Sequence, residues 1–166
     1  MITIFKSTDT HLVIQDQAVP GCWINVVDPD QAEIVRLKQE FHIPESFITA
    51  SLDLDELART DKEDGYILII VLLPYIFSDD PTGVPYNTAP LGIITTKEYL
   101  FTICRVHTNI IGDFTKKQLQ NISTPKRNRL ILQLFFVIAQ SYLAYLRQIT
   151  NKTDAEPKSG WNKARR

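Results

Sequence analysis

An apolar run at residues 66–77, YILIIVLLPYIF, directly follows the pair Asp64-Gly65. An Asp-Gly pair tolerates the positive φ angles of a tight hairpin turn, so residues 58–63 and 66–77 are predicted to be the two strands of a hairpin. Because the second strand is apolar at odd and even positions alike, both of its faces should be covered. We therefore predict an α/β fold, an α/β/α sandwich whose mixed β-sheet has residues 66–77 at its centre and helices on both faces.

Further strand-like and helix-like segments account for most of the remaining chain. Strands are predicted at residues 2–5, 11–14, 22–27, 91–95 and 99–105. Helices are predicted at residues 28–42, 44–52, 108–121 and 124–150, and the last of these is the longest. In the first helix, Asp28 is the predicted N-cap, Pro29 takes the first helical position and Gln31 completes a capping box.

The composition indicates one globular domain. The chain has 166 residues, of which 44% are hydrophobic, which is enough for a packed core. We predict one domain at residues 1–150 and a polar, disordered tail at residues 151–166. A net charge of -1, from 18 basic and 19 acidic residues, argues against nucleic acid as a partner. The N-terminal residues MITIF lack the features of a signal peptide, so we expect a cytoplasmic chain.

The last predicted helix has two interpretations. Residues 130–146 carry no charge, and this stretch is nearly as long as the roughly 18 to 20 residues of a membrane span. However, Lys126, Gln133, Gln140 and Arg147 recur every seventh position and would form one narrow polar stripe. Such a stripe favours a helix that packs in a soluble domain with one edge in water, and a lone membrane span is the weaker alternative.

Acidic side chains are the candidate metal ligands. They cluster at residues 53–56, 61–64 and 79–80. Mg²⁺ takes oxygen ligands and keeps several waters, so one or two carboxylates suffice, although most such groups are solvated surface charges. The three histidines are far apart and lack the spacing of a zinc site. The six glycines are scattered and form no phosphate-binding loop.

Cys104 and His107 are the pair that suggests an enzyme, because a cysteine beside a histidine can act as a nucleophile with its base. Against this, Cys104 lies in a strand that is predicted to be buried, and no third group is spaced to orient His107. We therefore predict that the protein is not an enzyme, and that Cys22 and Cys104 are buried, reduced thiols.

The order of these motifs resembles the N-terminal cytoplasmic domain of the CorA family of divalent-cation transporters, over residues 22–152. The segments that carry the resemblance are WIN at 23–25, FHIP at 41–44, LDLDELAR at 52–59, KEDG at 62–65 before YILIIVLLP, TAPLGII at 88–94, LFTI at 100–103 and LAYLR at 143–147. Each segment is unspecific by itself, and their joint order and spacing make the resemblance specific.

The resemblance implies a cytoplasmic α/β/α sandwich, a long stalk helix and two membrane helices in a pentameric channel. In that family a Gly-Met-Asn signature closes the first membrane helix. Met1 is the only methionine in this chain, so the signature is absent. The chain is expected to be a truncated form or a shortened gene product that holds the soluble domain and cannot conduct ions by itself.

The resemblance also implies a function, that of a regulatory, ion-sensing domain at the cytoplasmic face of the membrane. The family's regulatory sites lie between subunits, where an acidic residue after the short helix meets a carboxylate of the stalk helix. Asp53 and Asp55 are the nearest candidates here, and their stalk partner is missing. We therefore expect weak Mg²⁺ binding and a monomer or weak dimer for the isolated domain.

In a full-length protein, the partners implied are its own membrane domain and the neighbouring subunits of a pentamer. Two alternatives from other functional classes stay open. One is a soluble protein-interaction domain without metal binding, and the other is a small enzyme that uses Cys104 and His107.

Overall fold

A computed structural model describes residues 1–8, 11–76, 86–116 and 122–155 of the protein. Seven strands and four helices occur in these ranges. They are β1 (Ile2–Ser7), β2 (Leu12–Gln15), β3 (Trp23–Val27), α1 (Gln31–Gln39), α2 (Glu45–Leu52), β4 (Arg59–Glu63), β5 (Tyr66–Ile76), β6 (Tyr86–Thr95), β7 (Leu100–Cys104), α3 (Asn109–Lys116) and α4 (Arg127–Ala155).

The strands form one mixed sheet in the order β2-β1-β3-β7-β6-β5-β4. β3 and β7 pair in parallel, and the other neighbouring strands pair antiparallel. One face of the sheet is covered by α1 and α2, whose Leu37 and Phe47 are buried in the core on that side. The other face is covered by α3 and α4 through Phe114 and Leu130. The predicted α/β/α sandwich with a mixed sheet and a long last helix is therefore confirmed.

The position of β5 in the sheet differs from the prediction. β5 is the sixth of seven strands, and β7, which is buried at every residue, takes the central place. β5 is apolar on both faces because helices cover both of its faces near the edge of the sheet. Its Leu68 and Ile70 belong to the core below α1 and α2, and its Leu73 belongs to the core below α3 and α4. Burial on both faces therefore did not require a central position.

The hairpin of β4 and β5 is confirmed, and its turn has the predicted chemistry. Asp64 has φ 50° and Gly65 has φ 84°, the left-handed values that a two-residue turn of this kind requires. The strands pair from Glu63 opposite Tyr66 to Arg59 opposite Ile70. β4 forms the edge of the sheet, and its sequence RTDKE is exposed throughout, which discourages pairing with a further strand.

The start of α1 lies two residues after the predicted one. Asp28 has φ 43° and belongs to the turn that leaves β3, so it is not the N-cap. Asp30 is the N-cap instead: its Oδ1 accepts from the backbone N–H of Glu33 at 2.8 Å, and the Glu33 carboxylate accepts from the backbone N–H of Asp30 at 3.1 Å. The helix ends at Gln39 rather than near His42, whose φ of 52° is incompatible with a right-handed helix.

A buried hydrogen-bond relay joins the two parallel strands. The indole N–H of Trp23 donates to Oγ1 of Thr102 at 2.9 Å, and the Thr102 hydroxyl donates to Oδ1 of Asn25 at 2.8 Å. The Trp23 ring also packs against Phe5 and Phe114, with centroid distances of 4.9 and 5.6 Å. These contacts satisfy the polar groups that the tryptophan strand brings into the core.

Helix α2 lies unusually close to β6. A Cβ placed on Gly92 would overlap Oγ of Ser51 and would lie 2.6 Å from its Cβ and 3.4 Å from its Cα. Ser51 is fully buried, and its hydroxyl donates to the carbonyl of Phe47 at 2.7 Å within the same helix. The absence of a side chain at Gly92 is therefore what allows the C-terminal turn of α2 to contact the sheet.

Helix α4 packs on the opposite face and continues past residue 150 to Ala155. The Tyr142 hydroxyl donates to the carbonyl of Leu72 in β5 at 3.2 Å. This hydrogen bond joins α4 to β5. Desolvation raises the pKa of Tyr142, which keeps this hydroxyl protonated as a donor.

Several predictions fall on residues outside the described ranges. They are Phe77 and the loop after it, which contains Asp79 and Asp80, the C-terminal part of the third predicted helix at residues 117–121, and residues 156–166 of the predicted tail. The domain boundary at residue 150 stays a prediction.

Candidate metal site and exposed surfaces

The acidic loop, residues 53–58, joins the end of α2 to β4 and contains both candidate metal ligands. The Asp53 N–H donates to the carbonyl of Thr49 at 3.0 Å and closes the helix. Oδ1 of the Asp53 side chain accepts a hydrogen bond from the backbone N–H of Asp55 at 3.1 Å. The backbone carbonyl of Asp53 accepts a hydrogen bond from the backbone N–H of Glu56 at 3.1 Å. Both aspartates are exposed, so the structure places Asp53 and Asp55 in one tight, solvated turn.

Arg59 neutralises the next two carboxylates along the chain. Its guanidinium contacts both oxygens of Glu56, at 3.2 and 3.3 Å, and Oδ2 of Asp61 at 2.7 Å. The hydrogen bonds from Arg59 hold the pKa of Glu56 below its usual value. Within the described residues, no ion pair involves Asp53 or Asp55. These two are therefore the carboxylates of the loop that are left for a cation.

The loop supplies only part of a metal site. No group of three or more histidine, cysteine, aspartate or glutamate side chains that could hold a metal ion occurs within residues 1–8, 11–76, 86–116 and 122–155. Glu63 lies at the opposite end of β4 from the loop and accepts a hydrogen bond from the Ser46 hydroxyl at 2.9 Å. Further ligands for a cation at Asp53 and Asp55 would have to come from water or from another protein surface.

Leucines alternate with the acids of this loop, a feature that the sequence analysis did not use. Leu54 is 43% exposed and Leu57 is 72% exposed. These two leucines give the loop an exposed apolar surface beside its carboxylates. The signal was present in the sequence as the LDLDEL alternation.

Cys104 and His107 do not form a nucleophile and its base. The Cys104 side chain is buried, and desolvation raises its pKa to about 11, so the thiol stays protonated at neutral pH. The His107 side chain is 73% exposed and approaches Asp28, with 4.0 Å between Nε2 and Oδ2. No hydrogen bond joins Cys104 to His107 in the described part of the chain.

A second exposed surface, the α4 stripe, consists of five apolar residues on one side of the long helix: Leu132, Phe136, Ala139, Leu143 and Leu146. The four large side chains are between 56% and 66% exposed. The buried residues of α4, among them Leu134 and Ile138, lie on the opposite side of the helix. α4 is therefore apolar on two faces.

The prediction that one face of this helix packs on the sheet is confirmed. The polar residues do lie mainly in water, as predicted, but the exposed side of the helix also carries the α4 stripe, which was not predicted. Of the four polar residues, Lys126, Gln140 and Arg147 are exposed and Gln133 is half-buried. By length and composition alone, the segment Arg127–Asn151 would suffice to cross a membrane. Of its most apolar stretch, 22% is buried inside the domain.

Fold and surfaces together define a three-layer α/β/α domain that exposes an acidic, leucine-containing loop at one end and an apolar helix face. The sequence profile of the family described as CorA-like Mg²⁺ transporter protein matches residues 21–156, most of the chain. The protein belongs to the CorA family.

Individual relatives agree with this assignment. The chain is 26% identical over 138 residues to the cobalt/magnesium transport protein CorA of Methanocaldococcus jannaschii, and the match covers 80% of this chain and 40% of that relative. The solved soluble domain of CorA from M. jannaschii superposes with a TM-score of 0.76 at 23% identity, over 93% of this chain and 62% of that structure. The ZntB cytoplasmic domain of Vibrio parahaemolyticus superposes with a TM-score of 0.68 at 14% identity, over 90% of this chain and 62% of that structure. The chain thus spans 40% of the length of the curated relative and 62% of each of the two solved domains, less than two thirds in each case.

Proposed function

We propose that this chain is the cytoplasmic, ion-sensing domain of a CorA-like divalent-cation transporter. One observation carries the proposal: the family profile matches residues 21–156, and the fold of a CorA soluble domain covers 93% of the chain. In a full-length protein, the domain would lie at the cytoplasmic face of the membrane. Its partners would be its own membrane domain and the neighbouring subunits of a pentamer.

The sensing role rests on the acidic loop. Asp53 and Asp55 are exposed carboxylates without an ion pair in the described residues, whereas Glu56 and Asp61 are held by Arg59. One oxygen of Asp53 is already used by the turn. Two carboxylates at the surface displace few waters from Mg²⁺, so binding to the isolated chain should be weak, on the order of millimolar.

A non-catalytic role agrees with the protonated, buried thiol of Cys104. The most direct alternative chemistry would need a thiolate beside His107, and the two side chains do not meet. Sensing requires only that a cation bound at the loop changes how the loop contacts a neighbouring surface.

Titration of the isotope-labelled 166-residue chain with Co²⁺, observed by NMR, tests the metal site. Co²⁺ is paramagnetic, so even weak binding should broaden the backbone amide signals near the ion, and Mg²⁺ added in excess should reverse the effect. We expect broadening centred on residues 53–57. It should be lost in Asp53→Asn and Asp55→Asn, and kept in the matched control Asp16→Asn, which changes another exposed carboxylate outside the acidic loop.

Broadening that spares residues 53–57, or that persists in both loop variants, would show that Asp53 and Asp55 do not bind the ion. The second candidate function, a protein-interaction domain without metal binding, would then be favoured. The exposed Leu54 and Leu57 support that candidate, because they suit a protein contact and contribute nothing to a cation site.

A further inference from the structure

A tyrosine-lined groove lies between the second half of α4 and the strands β5 and β6. The tyrosine groove has a volume of about 300 Å³, and none of its lining side chains is charged. Its lining includes Pro74, Tyr86, Tyr142, Tyr145, Leu146 and Ile149. The ring centroids of Tyr86 and Tyr145 are 5.9 Å apart, and Leu146 is 56% exposed. The groove therefore presents an aromatic and apolar surface to solvent.

The size and composition of the tyrosine groove fit one aromatic side chain. A cavity of about 150 Å³ holds benzene, so a volume of about 300 Å³ has room for the two fused rings of an indole. A charged side chain would lose its hydration in this groove without gaining an ion pair. Asn87 and Thr88 complete the lining, and their oxygens are acceptors of the kind that an indole N–H requires.

Trp161 of the same chain is within reach of the groove. α4 ends at Ala155, about 9 Å along the helix axis beyond Ile149. Trp161 follows Ala155 by six residues, which span up to about 20 Å when they are extended. An indole at position 161 can therefore reach back as far as Leu146, which lies about 14 Å before the end of the helix.

The sequence after α4 favours a reversal of the chain. Pro157 disfavours helical geometry at Glu156, so the helix is not expected to continue. The pair Ser159-Gly160 is typical of turns, and it directly precedes Trp161. Within residues 156–166, Trp161 is the only large apolar side chain. It is therefore the side chain of this segment that gains most from leaving water.

We infer that the tyrosine groove is the docking site of Trp161, which turns back along α4 and covers Leu146 and Ile149. The tether makes a weak affinity sufficient, because a short flexible linker gives an effective concentration in the millimolar range. An intrinsic dissociation constant of about 0.1 mM therefore keeps the ring docked in about nine molecules of ten. An aromatic side chain of another molecule would have to compete with this local concentration.

Tryptophan fluorescence of the 166-residue chain tests the docking. The chain has two tryptophans, and Trp23 is fully buried. The difference between the emission of the wild type and that of Trp161→Phe gives the signal of Trp161. We expect acrylamide to quench this signal weakly. Leu146→Glu places a charge in the groove and should lower the ratio of docked to undocked rings at least tenfold, so that the exposed fraction of Trp161 rises from about one tenth to about one half or more.

Leu132→Glu is the matched control for Leu146→Glu. It makes the same change on the same helix, at a leucine that is 66% exposed and lies about 21 Å from Leu146 along the helix axis. This variant should leave the quenching of Trp161 as it is in the wild type. Circular dichroism verifies that both variants are folded.

NMR of the isotope-labelled chain identifies the occupant of the groove. We expect nuclear Overhauser effects between the indole protons of Trp161 and the methyl groups of Leu146 and Ile149. In a mixture of labelled and unlabelled chains, these effects should arise within one chain and not between two chains. The indole signal of Trp161 should not depend on protein concentration.

Three results would overturn the inference. Acrylamide could quench Trp161 in the wild type as strongly as in Leu146→Glu, which would place the ring in solvent. Leu132→Glu could release Trp161 as fully as Leu146→Glu, which would show that the ring does not lie in the tyrosine groove. Nuclear Overhauser effects between labelled and unlabelled chains would identify a second copy as the source of the ring.

Discussion

Substitution of Gly92 by alanine should destabilise the protein strongly, although it adds a single methyl group. The new Cβ would overlap the Ser51 hydroxyl and lie 2.6 Å from the Ser51 Cβ. Rotation of the hydroxyl can relieve the first contact but not the second. The Ser51 Cα is 3.4 Å away, so relief requires α2 to move off β6.

The magnitude follows from the cost of overpacking a core. Extra methyl groups in a well-packed site cost typically 1–3 kcal/mol, and a contact that moves a helix belongs at the upper end, so we expect about 3 kcal/mol. For a domain of this size, each kcal/mol lowers the melting temperature by about 2–4 °C, which gives a drop of roughly 6–12 °C. Urea denaturation followed by far-UV circular dichroism measures the loss directly as a shift in the midpoint.

Gly112→Ala is the matched control. Gly112 lies in α3, and a Cβ there meets no atom within 4 Å. Alanine has the higher helix propensity, so this variant should be more stable by up to about 1 kcal/mol. The same chemical change is thus expected to have opposite signs at the two glycines, because only one of them has a neighbour in the space of the methyl group.

A compensating change tests the cause. Ser51→Gly removes the Oγ and Cβ atoms that the new methyl group would overlap, at a cost of about 0.5 kcal/mol in helix propensity. In the background of Gly92→Ala, however, Ser51→Gly should raise stability, with a coupling free energy of about 1–3 kcal/mol between the two sites. A loss below about 0.5 kcal/mol in Gly92→Ala, or no rescue by Ser51→Gly, would show that α2 and β6 are not in the close contact described here.

Two further predictions concern the core. Thr102→Val should lower the free energy of unfolding by about 2–4 kcal/mol, because it leaves the indole N–H of Trp23 and the amide oxygen of Asn25 buried without their partner. The control Thr60→Val, at an exposed threonine, should be nearly neutral. Equal urea midpoints for the two variants would contradict the hydrogen-bond relay. Burial raises the pKa of Cys104 from 9.0 to about 11, so the folded state retains the thiol proton longer than the unfolded state. The stability that Cys104 contributes is therefore complete below about pH 9 and lost as the pH rises toward 11. Cys104→Ala should lose less stability than the wild type between pH 8 and about 10.5, whereas equal losses would place the thiol in solvent.

The turn at Asp64-Gly65 was predictable from the sequence. The choice between two possible N-caps for α1 was not. Asp64-Gly65 forms the expected turn because two residues with positive φ are needed and no other pair nearby offers them. Two possible capping boxes overlap at the start of α1, one that begins at Asp28 and one that begins at Asp30. Each has a Gln or Glu three residues after the aspartate. The left-handed backbone at Asp28 decided between them, and this depends on how β3 ends rather than on the helix.

Long-range features of the fold were beyond the sequence pattern. The apolar residues of β5 indicated correctly that both faces of the strand are covered. However, a strand near the edge of the sheet that is covered by α2 and α4 has the same sequence pattern as a central strand. The contact between Gly92 and Ser51 joins residues far apart in sequence, and an isolated glycine in a strand does not identify its neighbour. At the candidate site, the sequence indicated that Asp53 and Asp55 follow the short helix, and their role as metal ligands stays a prediction. The ion pair between Glu56 and Arg59 was not predictable, because it depends on side-chain geometry.

The acidic loop and the α4 stripe are supported by the same two strands. The loop begins where α2 ends, and α2 is held against β6 at Gly92. On the other face of the sheet, Tyr142 of α4 is hydrogen-bonded to Leu72 of β5. β5 and β6 pair without interruption from Ile67 to Ile76, so a displacement of α2 is resisted by the strands on which α4 lies. Because a packed interior transmits strain, a displacement of α2 would also strain the strands beneath α4.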